Sequence, residues 1–174
     1  MSMFNTVRLA ALGVLPASLL MFGAPANAAA GMAADNYPAP VAKWLQQAQS
    51  DCPAGFQAHN PIQSVSLTGD GRPSYIADPH RLTCAGEPHL FIGDGPSSIE
   101  LFVTLPSGEV VHTGGVLALS YQVMQSPQGG APTVVFQTHG ASERTGSMDS
   151  YRWDGRNFTV LDKQSLAVPP PGNY

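Results

Sequence analysis

Two cysteines, five histidines and a glycine-flanked aspartate are the residues of this 174-residue chain whose types and spacing could do chemistry. Cys52 and Cys84 are its only thiols. Their separation is far from C-x-x-C and no helix N-terminus is evident at either, so a structural disulfide is expected rather than a redox pair. On the chain-entropy model, closing that loop is worth roughly 3–4 kcal/mol. No C-x-x-C-H occurs, which removes covalent haem attachment at the motif level. His59, His80, His89, His112 and His139 form no i, i+2 or i, i+4 pair and no H-E-x-x-H. His80 and His89 flank Cys84 and Glu87, the one cluster that could converge, but a metal set there needs Cys84 free. The disulfide forbids it, and no metal and no cofactor are expected.

Gly69-Asp70-Gly71 is a turn of the kind that can hold calcium. That ion takes about six to eight oxygen ligands, several of them carboxylates. Asp70, and Asp78 several residues on, are the calcium candidates, and they are too few to make a tight site. The stretch from Ser66 to Asp78 resembles the D-x-N-G-D-G-x-x-D repeat of FG-GAP/VCBS proteins. More specifically, it is similar to exported bacterial proteins carrying one such copy, followed by Cys-x-Gly, a glycine-rich turn, a strand and a late W-D-G hairpin. This chain offers Cys84-Ala85-Gly86, Gly93-Asp94-Gly95 and Tyr151 to Gly155 in that order, so the likeness spans about Val65 to Asp162. Ser66, Thr68 and Ser74 stand where the repeat has Asp, Asn and Asp, and the group's extra cysteines are missing around Ile92 and Ser142. The resemblance implies a cation-binding turn; the departures imply a turn kept without its ion.

Signals for other chemistry are missing. There is no G-x-S-x-G, and Gly140-Ala141-Ser142-Glu143 lacks the second glycine of a nucleophile elbow. Gly93-Asp94-Gly95 is followed neither by Lys-Ser/Thr nor by a predicted helix, so it is no phosphate loop. The net charge is −4, and the charged residues are scattered singly. A polyanion partner needs a basic stripe that releases counterions, and none is present. Nucleic acid is therefore not an expected partner.

The elements that must position these residues begin with one helix, predicted over Ala39 to Asp51. Val41, Trp44, Leu45, Ala48 and Cys52 recur at helical spacing, Pro38 and Pro40 suit the entry, and Pro53 and Gly55 end it. Beyond Pro61 the period becomes two. Val65 and Leu67 lead into the glycine turn and Tyr75 to Ala77 lead back. Ile99, Leu101, Val103 and Leu105 form a strand that turns at Pro106-Ser107-Gly108 into Glu109 to His112. Leu117, Leu119, Tyr121 and Val123 are expected as one strand and Thr133 to His139 as another. Tyr151 to Trp153, Asp154-Gly155 and Phe158 to Leu161 read as a hairpin. The fold class is α+β, mostly β: an antiparallel meander sheet with one N-terminal amphipathic helix.

The first 28 residues address the chain. Arg8 precedes an apolar run from Leu9 to Gly23, and Ala26-Asn27-Ala28 supplies a signal-peptidase site. The run is too short to cross a bilayer, which takes about 20 apolar residues. Cleavage after Ala28 leaves seven Lys and Arg against twelve acids. The expected organisation is a signal peptide over 1–28, a flexible segment over 29–37, one domain over 38–165 and a proline-rich arm over 166–174. Pro169, Pro170 and Pro171 hold that arm extended and present Tyr174, which makes these four residues the candidate partner contacts. The function expected is that of a non-catalytic periplasmic domain, an accessory subunit of an envelope complex. In size and export the chain resembles the small subunits of membrane-bound quinoprotein dehydrogenases. The alternatives are a small periplasmic enzyme with an unrecognised site and a divalent-ion-binding module.

Overall fold

Prolines at both ends confine the helix. The computed structural model describes residues 34–92, 95–139 and 145–167, and in it α1 runs Ala39–Asp51, the predicted limits. Val41, Leu45 and Ala48 are its buried side, as the spacing requires, and Cys52 caps its C-terminus. Residues 1–28, expected as a signal peptide, Gly93 and Asp94, the stretch Gly140 to Glu143, and Pro169, Pro170, Pro171 and Tyr174 lie outside the described residues.

Ten strands follow among the described residues: β1 Phe56–Ala58, β2 Ile62–Val65, β3 Ser74–Ala77, β4 Leu82–Cys84, β5 Ser97–Thr104, β6 Val110–Ala118, β7 Ser120–Met124, β8 Thr133–His139, β9 Thr145–Trp153 and β10 Phe158–Ala167. All pairings are antiparallel. The expected meander is divided into two four-stranded sheets, in the orders β2-β3-β5-β6 and β10-β9-β8-β7, with β1 and β4 as a separate pair. The sheets bury their facing sides on each other. Ile76, Ile99, Leu101 and Val103 of the first meet Val134, Phe136 and Trp153 of the second. The first sheet also buries part of its outer side under α1, where Val41 packs with Ile62, Ala77 and Phe102. Strand β5 is therefore covered on both sides, which explains why its alternation breaks down into a continuous buried run over Leu101 to Thr104.

Three expectations are corrected. Leu117 to Val123 is not one strand. Ala118 is fully buried at the end of β6, and the chain crosses to the second sheet at Leu119, whose N–H donates to the Gln137 carbonyl at 2.8 Å. That crossing reverses the parity, leaving Leu117 63% exposed while Tyr121 and Val123 face the core. Tyr37, expected in a flexible segment over 29–37, packs edge-on to Tyr75 with ring centres 6.4 Å apart and adds to the core under α1. Leu166 and Ala167, expected in an arm over 166–174, instead pair with Gly146 and Thr145 in β10. Among the described residues no helix is long and apolar enough to cross a membrane.

Candidate functional site

Asp70, the first calcium candidate, is occupied by its own loop. Its Oδ1 accepts from the Thr68 hydroxyl at 2.7 Å and from the Arg72 amide at 3.0 Å, while its Oδ2 takes the Arg72 guanidinium. Those hydrogen bonds, the Thr68 hydroxyl first, hold its carboxyl below the usual carboxylate value. Their support is present above the ordinary carboxylate range and is lost as pH falls through the lowered value. Ser66 Oγ accepts from the Gly71 amide at 3.0 Å, and Ser74 is fully buried with its Oγ against the Thr104 amide. The three residues that replace expected ligands are thus hydrogen-bonded within the fold, and Arg72 is the cation that pairs with Asp70.

Asp78 lies beyond β3 and the structure does not bring it to Asp70. Its Oδ1 accepts from the His80 amide at 3.0 Å and lies 2.9 Å from His80 Nδ1, and its Oδ2 faces Arg81 Nε at 3.5 Å. It caps the short 3-10 helix Pro79–Arg81 and is 7% exposed. Adding calcium up to the millimolar range is expected to leave the melting temperature unchanged. A rise at sub-millimolar calcium would reveal preferential binding to the folded state.

Cys52 and Cys84 are joined by a disulfide, with Cα atoms 5.7 Å apart. This takes Cys84 out of the His80/Glu87/His89 cluster. Among the described residues no group of three or more His, Cys, Asp or Glu is placed to hold a metal ion.

What sequence reasoning missed lies on the outer side of the first sheet. His112 Nε2 is 2.6 Å from Glu100 Oε2, and its ring lies 4.9 Å from that of Phe102. The β5–β6 ladder shifts register between Leu101 and Phe102, so that Phe102 faces His112 whereas Glu100 faces Gly115. Gly115 makes room for the carboxylate: a Cβ there would stand 2.6 Å from Glu100 Oε1. The pair Gly114-Gly115 was the one sequence signal of this irregularity.

Beside this pair an open groove of about 700 Å³ runs between α1 and strands β5 and β6. Pro40 and Trp44 form its helical wall, Phe102, Val110 and Val111 its floor and far wall, with Lys43 and Gln47 at the rim. Lys43 is exposed and forms no salt bridge with any described residue. His112 is held by Glu100, and no hydroxyl or thiol among the described residues is hydrogen-bonded to it. Compared with protein-family models, curated proteins and solved structures, the chain matches none of them.

Proposed function

We propose that this chain is an exported, non-catalytic domain that docks another protein of the bacterial envelope as an accessory subunit. The observation that carries the reading is the groove between α1 and β5–β6. Its walls are aromatic and aliphatic, and Lys43 at the rim forms no salt bridge with any described residue. Such a surface fits an apolar segment of a partner that carries a carboxylate opposite Lys43. An apolar hollow with a few placed polar groups is the usual form of a recognition site. The signal-like N-terminus and the disulfide support an oxidising, extracytoplasmic setting.

The test is photo-crosslinking in intact cells, with a photoreactive residue at Gln47 on the groove rim and, as control, at Gln49 on the exposed helix surface outside the groove. The reading expects one discrete adduct with one envelope protein at Gln47 and none at Gln49. The recovered chain should begin at Ala29. Equal labelling at both positions, or adducts composed only of this chain, would refute the accessory role.

A further inference from the structure

Among the described residues strand β6 is an edge of its sheet with no further strand beside it, and its first half forms a wall of the groove. The turn at Pro106 to Gly108 sets which of its backbone groups are unpaired. Gly108 N–H donates to the Leu105 carbonyl at 2.9 Å and Leu105 N–H to the Glu109 carbonyl at 2.8 Å. Antiparallel ladders alternate bonded and unbonded pairs. With Thr104 opposite Val110, Val103 opposite Val111 and Phe102 opposite His112, Val111 bonds to β5. Val110 and His112 therefore turn their N–H and C=O groups toward the open edge.

The two sides of that edge differ in character. Val110 packs with Phe102 and Val41 on the side of α1, in the apolar groove. On the other side a second hollow, of about 460 Å³, is bounded by Thr113, Trp153, Arg156 and Asn157 at the tip of the β9–β10 hairpin, and the two hollows meet at Val111 and His112. Arg156, like Lys43, forms no salt bridge with a described residue, although the Asp154 carboxylate lies within range of its charge. The nearby carboxylates are engaged: Asp154 accepts from the Arg156 and Asn157 amides at 2.8 Å, and Glu100 holds His112. A chain of net charge −4 thus places along one edge two cations that form no salt bridge among the described residues.

We propose that β6 captures an extended, acidic–apolar peptide of the partner protein by strand addition. This inference rests on the docking function proposed above. Main-chain bonds to Val110 and His112 provide the attachment, and the two-residue period of a strand sorts the side chains. Apolar ones enter between Trp44 and Phe102, and acidic ones reach Arg156, with Lys43 attracting a further carboxylate at the groove rim.

The probe is a random nine-residue peptide library selected on the purified full chain, followed by synthetic copies of the enriched sequences. Enrichment of apolar residues alternating with Asp or Glu is expected, with shifts in the Val110 and His112 amide resonances on binding. The Lys43→Glu/Arg156→Glu variant should bind such peptides about tenfold more weakly, and added salt should weaken the wild type. N-methylation of the peptide amides that face β6 should cost about tenfold or more, since side chains are kept and main-chain donors removed. Unchanged affinity of the N-methylated peptide, with shifts still mapping to Trp44 and Phe102, would overturn strand addition and leave groove docking standing. Enriched peptides that map away from the groove, or no enrichment at all, would overturn both. Displacement of the acidic peptide by a synthetic copy of residues 168–174 would make a second copy of this chain the occupant, and would overturn the proposed partner.

Discussion

Gly69→Ala is expected to destabilise the domain by about 2–5 kcal/mol, whereas Gly71→Ala, two residues away in the same turn, should cost only about 1–2 kcal/mol. Both glycines have positive φ, +76° and +83°, so both substitutions carry the left-handed penalty of an L-residue. They differ in what a side chain would meet. A Cβ on Gly71 meets nothing within 4 Å, while one on Gly69 would lie 1.9 Å from the Gly130 carbonyl carbon and 2.2 Å from the Ala131 amide nitrogen. Those are backbone atoms of another turn, which cannot swing aside as a side-chain tip can. Thermal unfolding measures the difference: the melting temperature should fall by roughly 10 °C or more for Gly69→Ala and by a few degrees for Gly71→Ala. Equal losses for the two variants would show that the turns are not packed together.

This contact gives the glycine turn a purpose that needs no ion. Gly69 packs the first sheet's turn against the loop between β7 and β8 of the second, and so locks one end of the sandwich. Asp70 then serves the turn itself, through Thr68 and Arg72. Glycines that a calcium loop needs for tight curvature are needed here for tight curvature and close approach.

The helix was legible in the chain, because prolines punctuate it and its apolar face is continuous. The hairpins at Pro106 to Gly108 and Asp154-Gly155 were legible for the same reason: turn chemistry is local. The division into two sheets was not. An alternating strand specifies that one side is buried but not which sheet buries it, and Leu117 to Val123 keeps its period across a point where the chain changes sheets. The groove was hidden for a related reason. Phe102 falls between the alternating apolar positions of its strand and Val110 reads only as part of the return run, and the placement of α1 over that hairpin makes them a floor. The Glu100–His112 contact joins residues twelve positions apart through a register shift that no periodicity announces. Tyr37 looked too isolated to pack, yet Tyr75, far along the chain, supplies its partner.

Replacing both Cys52 and Cys84 by serine is expected to lower stability by roughly 3–4 kcal/mol, the entropy regained by an unfolded chain released from a loop of this length. The bond ties the C-terminal cap of α1 to the end of β4, where Phe56 pairs with Cys84. Non-covalent support there is modest: Leu45, Ala48 and Leu82 form a small cluster apart from the core between the sheets. Thiol labelling of the unfolded, unreduced protein should find no free thiol, and the double variant should melt roughly 10 °C or more below the parent. Because the effect acts on the unfolded chain, amide spectra of the folded variant should stay close to those of the parent. Hydrogen exchange should quicken most in α1, the groove wall whose anchorage is lost. The Gln47 adduct should accordingly weaken in the variant before the domain unfolds. A melting temperature within about 2 °C of the parent, or stoichiometric thiol labelling of the unreduced protein, would show that this bond does not hold the helix in place.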